Sequence, residues 1–95
     1  MKLTVDEIKR RILPILRRHG VQKSGLFGSF ARGESGKDSD IDLLVEIKEE
    51  QSLLDVAGLK LDLEEALGRK VDLVEYDMIR PFLTRSILAE QVVIL

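Results

Sequence analysis

Apolar residues recur at helical spacing near the start of the chain. Ile8, Ile12, Ile15 and Leu16 form a stripe, and Arg10, Arg11, Arg17 and Arg18 lie largely off it. Thr4 and Glu7 have capping-box spacing ahead of the stripe, and Gly20 follows the basic last turn as a C-terminal stop. The pattern predicts a first helix, kinked or loosened by one turn at Pro14. A short strand is expected over Lys23 to Phe27, ending at Gly28-Ser29. "SFARGE" then opens a short helix, and "SGKDS" is a loop. "DIDLLVEI", Asp40 to Ile47, reads as a strand whose Leu-Leu-Val centre is buried on both faces. Ser52 to Gly68 is a second long helix, with Ser52 and Asp55 as a cap pair and Leu53, Val56, Leu59, Leu63 and Leu67 as its stripe. "KVDLVEY", Lys70 to Tyr76, is a third strand. "MIRPFLTRSILAE" is a third helical segment with Pro81 in its first turn and Leu83, Ile87 and Leu88 assigned to the core. "QVVIL" ends the chain as a short edge strand. The order αβ(α)βαβαβ predicts a small α/β (α+β) domain, one sheet with helices packed mainly on one face.

Composition narrows the picture. Ninety-five residues make one domain, 1–95, with room for a single core. The net charge of −2 gives no reason to expect direct nucleic-acid binding. There is no cysteine, which excludes disulfides and zinc–thiolate sites. No apolar run reaches membrane-spanning length and nothing resembles a signal peptide, so the default expectation is a soluble cytoplasmic protein.

The aspartates change it further. Residues two apart on a strand point to the same face, so Asp40 and Asp42 stand side by side while Ile41 and Leu43 face the core. Asp72 lies in "VDLV" between apolar residues. If the third strand pairs beside the second, three carboxylates converge on one patch. Clustered carboxylates repel and raise one another's pKa, and a divalent cation relieves this. Mg²⁺ takes hard oxygen ligands and is commonly held by one or two carboxylates plus substrate phosphates. The plain alternative is that Asp40 caps a turn and the other two face solvent. Strands disfavour Asp, which weakens that alternative.

Gly28-Ser29 supplies a second half. A glycine after a strand lets a phosphate approach the backbone, and the following N–H groups with the Ser29 hydroxyl can hold phosphate oxygens. Arg32 and Lys37 are candidates to neutralise the remaining charge, and Ser39 is a further candidate nucleotide contact. Taken alone, Gly-Ser after a strand is also an ordinary turn. Two imitations fail. "SGKDS" lacks the Ser or Thr that a P-loop needs after Lys37, and the run from Asp38 to Glu49 has Leu43 where a calcium loop needs glycine.

Gly28-Ser29, then Asp40-Ile41-Asp42, then Asp72 on a later strand resembles the signature of the DNA polymerase beta-like nucleotidyltransferase superfamily. "GSFARGESGKDSDIDLLVE" with "GRKVDLVE" is similar in particular to the minimal nucleotidyltransferase (MNT) family, over essentially the whole chain. The resemblance implies the nucleotidyltransferase fold and transfer of a nucleoside monophosphate from an NTP to a hydroxyl, with two Mg²⁺ ions. It implies that Asp40 and Asp42 bind metal, that Asp72 binds metal and accepts the proton of the attacking hydroxyl, and that Gly28 and Ser29 grip the triphosphate. All five positions are intact, which argues against a decayed enzyme.

Some MNT proteins are antitoxins that add AMP from ATP to a tyrosine of a partner HEPN-domain ribonuclease. The resemblance therefore implies a HEPN toxin as partner in a hetero-oligomeric complex. Two rival functions stay open: inhibition mainly by binding the toxin, and nucleotidyl transfer to a small molecule or RNA. The short chain has no separate acceptor domain, which favours an acceptor on another protein. Of the weaker signals, His19 is accounted for by the negative end of the first helix, and Tyr76 by packing near the sheet edge.

Overall fold

The computed structural model describes residues 3–34, 36, 39–47 and 51–95. Helix α1, Val5–Arg18, begins where the Thr4 side chain accepts the Glu7 N–H at 3.1 Å. Its buried stripe is Ile8, Ile12, Ile15 and Leu16, as the spacing predicts. The helix runs through Pro14 without interruption. Pro14 and Arg10, the residue whose carbonyl loses its partner there, are both exposed, so water can take that carbonyl. His19 is the C-cap, and Gly20 turns the chain with φ +74, a conformation glycine adopts without strain.

Strand β1, Val21–Phe27, starts two residues before the predicted Lys23. Its first turn of ladder carries a register irregularity between Val21 and Lys23. Helix α2, Ser29–Arg32, is a single turn whose Phe30 is buried. Strand β2 is Ile41–Ile47. Asp40 was expected inside this strand and instead precedes it. Pairing with β1 stops at Phe27–Asp42, so nothing on that side extends the ladder to Asp40. Leu43, Leu44 and Val45 are fully buried, as a strand covered on both faces requires.

Helix α3, Leu53–Leu67, opens on a complete Ser52/Asp55 capping box, a feature worth about 1 kcal/mol. Gly68 closes it in the left-handed region. Leu59, Leu63 and Leu67 are buried, but Leu53 is 89% exposed. The first turn of α3 overlooks an open groove rather than the core. Strand β3, Val71–Glu75, is followed by a 3₁₀ turn, Tyr76–Met78, and helix α4, Pro81–Glu90. Strand β4, Val92–Val93, ends the regular structure.

The sheet order is β3-β2-β1-β4. β1 is antiparallel to β2 and β4, and β2 is parallel to β3, so the sheet is mixed. The parallel pair requires a crossover, and α3 provides it. Helices α1 and α3 contact each other and cover one face, where their leucines and isoleucines join Ile41, Leu43 and Val45 in one core. Ser24 is buried in β1 and stays satisfied: its hydroxyl donates to the Leu44 carbonyl at 2.8 Å, and its backbone bonds Ile94 and Leu95.

The α4 expectation needs correcting. None of its residues is buried, and Leu83 and Leu88 are 40% and 39% exposed. The helix is tied at its C-terminal end instead, by a Tyr76–Gln91 hydrogen bond of 2.8 Å and a Glu90–Arg32 pair at 3.5 Å. An apolar period says that a face wants covering, not that this chain covers it. Among the described residues no helix is long and apolar enough to cross a membrane.

Candidate active site

The parallel β2–β3 ladder aligns Asp42 with Asp72, so the two side chains rise from one face next to each other. Leu44, two residues on, shares that face and is buried outside the main core, beneath the region where Tyr76 and Gln91 cross Gly25. Asp42 is half-buried, while Asp40 and Asp72 are exposed. Burial pushes the Asp42 carboxyl above the usual carboxylate range, and the neighbouring Asp72 and Asp40 charges add to the shift. Arg32 pulls weakly the other way. Asp40 thus stands close enough to be felt by Asp42, although it lies outside the strand.

Gly28 closes the site on the β1 side. Its φ of +75 lies where side chains are strained, and a Cβ there would run into the Asp42 carboxylate. A glycine is therefore needed twice, for the turn and for the space that Asp42 fills. Ser29 begins α2 immediately afterwards, and the Gly28 carbonyl accepts from Arg32 N–H at 3.1 Å.

The remaining predicted contacts divide. Arg32 bonds Glu34 at 3.0 Å and Glu90 at 3.5 Å, so its guanidinium is occupied by carboxylates. Ser39 uses its hydroxyl to accept the Gly36 N–H at 2.7 Å. Lys37 lies outside the described residues. Among those described, no three His, Cys, Asp or Glu side chains close on a point that could hold a metal by themselves. The donor set nevertheless suits a hard cation. It is oxygen only, and it sets two carboxylates side by side, one of them held up in pKa by burial and then by the other's charge. Mg²⁺ commonly takes one or two carboxylates and completes its shell from phosphate and water.

A cavity of about 680 Å³ opens beside the carboxylates, lined by Phe27, Asp42, Asp72 and Val74 and, from α3, by Leu53 and Lys60 among others. Sequence reasoning did not single out Lys60, because only the crossover of α3 beside β3 brings it there. It also passed over Arg69. That side chain bonds the carbonyls of Gly36 and Ser39 at 3.3 and 3.2 Å and lies 5.4 Å from the centre of the Phe30 ring. The one available signal was a cation placed immediately before the Asp72 strand.

A family model described as a nucleotidyltransferase domain matches residues 9–94. A Methanocaldococcus jannaschii protein provisionally named a protein adenylyltransferase is 50% identical over 93 residues, covering 98% of this chain and all of that one. The Thermococcus cleftensis protein adenylyltransferase MntA is 38% identical, with 95% of each chain covered. A solved structure described as a provisional minimal nucleotidyltransferase superposes with a TM-score of 0.82 at 40% identity, covering 95% of each chain. A toxin–antitoxin crystal structure with AMP-PNP superposes with a TM-score of 0.78 at 26% identity, covering 92% of this chain and 72% of that one.

Proposed function

The chain belongs to the nucleotidyltransferase family, and from that premise we propose that it transfers AMP from ATP to a tyrosine hydroxyl of a HEPN-domain toxin and thereby silences it. It is a nucleotidyltransferase enzyme with the fold of the minimal members. The observation that carries the proposal is the alignment of Asp42 with Asp72, with Gly28 abutting the Asp42 carboxylate. ATP is supported as the donor by the AMP-PNP in the toxin–antitoxin neighbour, and a toxin as the acceptor by that same neighbour.

Gly28 leaves the backbone open to the triphosphate, and the Ser29 hydroxyl donates to a phosphate oxygen. The acceptor approaches through the cavity that Asp42 and Asp72 line. Asp72 accepts the proton of the attacking hydroxyl. The hydroxyl oxygen bonds the α-phosphorus, the bond from that phosphorus to the β-phosphate oxygen breaks, and pyrophosphate leaves. Asp40, Asp42 and Asp72 would hold Mg²⁺, which supplies charge neutralisation and lowers the acceptor's pKa. The protein's contribution is positioning and electrostatics, as is usual for phosphoryl chemistry.

The test is mass spectrometry of the partner toxin after incubation with the protein, ATP and Mg²⁺. One or more added AMP groups on tyrosine are expected. An unmodified toxin that is still inhibited would favour the second reading, inhibition through complex formation. That reading draws on the apolar residues α4 leaves uncovered, Phe82 above all at 74% exposure.

A further inference from the structure

Arg69 stands in the short turn between α3 and β3, and no step described so far uses it. Its side chain meets two of the segments that carry the site, and its backbone leads into the third. One guanidinium nitrogen, Nη1, donates to the carbonyl of Gly36 at 3.3 Å and to that of Ser39 at 3.2 Å. Those carbonyls belong to the end of the loop that delivers Asp40, and the same loop end is closed by the Gly36 N–H donating to Ser39 Oγ at 2.7 Å. The guanidinium carbon lies over the Phe30 ring, 5.4 Å from its centre, within the range of a cation–π contact. Phe30 is buried and follows Ser29 directly. The next residue, Lys70, accepts the Ile41 N–H at 3.0 Å, and Asp72 follows one residue into β3. Among the described residues no carboxylate pairs with Arg69, so its bonds serve backbone and ring only.

We propose that Arg69 is a positioning residue for nucleotidyl transfer: it locks the Asp40-bearing loop end against the Gly28–Ser29 turn through Phe30, so that the carboxylate half and the phosphate half of the site keep one geometry. The inference rests on the reading of this site as a nucleotidyltransferase centre. The guanidinium is delocalised and weakly hydrated, so one of its nitrogens bonds two carbonyls while its carbon stays over the Phe30 ring; the shorter-reaching, strongly hydrated point charge of a lysine ammonium serves that double contact less well. Small displacements between reacting groups are costly, on the order of 100-fold in rate for 1 Å. The loss should therefore fall on kcat rather than on binding.

The experiment compares Arg69→Ala and Arg69→Lys with the unaltered protein in three measurements: thermal unfolding, amide hydrogen exchange of Ser39 and Ile41, and steady-state AMP transfer to the partner toxin. For Arg69→Ala the expected result is amide exchange at Ser39 and Ile41 faster by about 10-fold, with the amides of α1 unchanged. kcat should fall by about 10-fold or more while KM for ATP moves less than about 3-fold. Arg69→Lys should recover less than half of the loss. If Arg69→Ala does not fold, Arg69→Lys carries the same comparisons. Unchanged exchange at Ser39 and Ile41, or full recovery of kcat by lysine, overturns the proposal. If the unaltered protein transfers no AMP, the functional reading fails, and the exchange measurement still decides whether Arg69 holds the loop.

Discussion

Asp42 and Asp72 are register partners across the parallel β2–β3 pair, and burial and mutual repulsion raise the Asp42 pKa. A raised carboxyl pKa means that folding favours the protonated form. Its stabilising effect is complete below the unfolded-state pKa and is lost as pH rises through the folded one. At neutral pH the ionised Asp42 therefore weighs against the fold. Asp42→Asn is expected to raise the melting temperature in Mg²⁺-free neutral buffer, with the gain shrinking in acid, and to abolish AMP transfer. Calorimetry across pH and a transfer assay check the two halves, and lower stability of the variant at neutral pH would contradict the first.

Gly28→Ala tests the close approach of backbone and carboxylate. The substituted residue keeps a φ near +75 only under strain, and its methyl group meets the Asp42 side chain. The expected cost is about 1–3 kcal/mol, read from urea unfolding. Transfer should be lost even where the variant remains folded, because Asp42 must move to make room.

Ala57 lines the cavity from an exposed position on α3. Ala57→Trp fills part of that space without touching the core. KM for the acceptor toxin is expected to rise at least about 10-fold while ATP affinity, measured by calorimetry, stays unchanged. An equal loss of ATP binding would put the nucleotide rather than the acceptor in the groove.

Away from the site, His19 and Asp62 join α1 to α3 across 2.7 Å, with Arg18 at 3.5 Å. The hydrogen bond from His19 holds the exposed Asp62 carboxyl below its ordinary pKa. A depressed carboxyl pKa stabilises the fold above the unfolded-state value and ceases to do so as pH falls through the folded one. Asp62→Asn should lower the melting temperature slightly at neutral pH and not at all in strong acid, leaving transfer unaffected. A gap between variant and parent that persists in strong acid would assign the effect to something other than charge.

Much of the fold was legible because its signals are local. Thr4, Ser52 with Asp55, Gly68 and Pro81 mark helix ends through bonds made within a few residues. The alternation around Asp42 gave its face, and "GSFARGE" gave the turn into α2. Less visible were effects that need a distant partner. Arg32 meets Glu90, Arg69 meets Ser39, and the apolar stripe of α4 meets nothing in the described chain that buries it.

By itself, then, the sequence determined which residues are chemical: a glycine and serine after one strand, two aspartates entering the next, and a third aspartate further on. Local rules suffice for that, since strand period and turn preference are properties of neighbouring residues. Tertiary structure decided that β3 lies parallel to β2 in the register that sets Asp72 against Asp42. It also decided that Gly28 leaves its missing side chain's space to Asp42, and that Arg69 reaches across to the loop before Asp40. Strand order and register are set by how α1 and α3 bury their apolar faces against the whole sheet, a balance summed over the entire core that no single segment encodes.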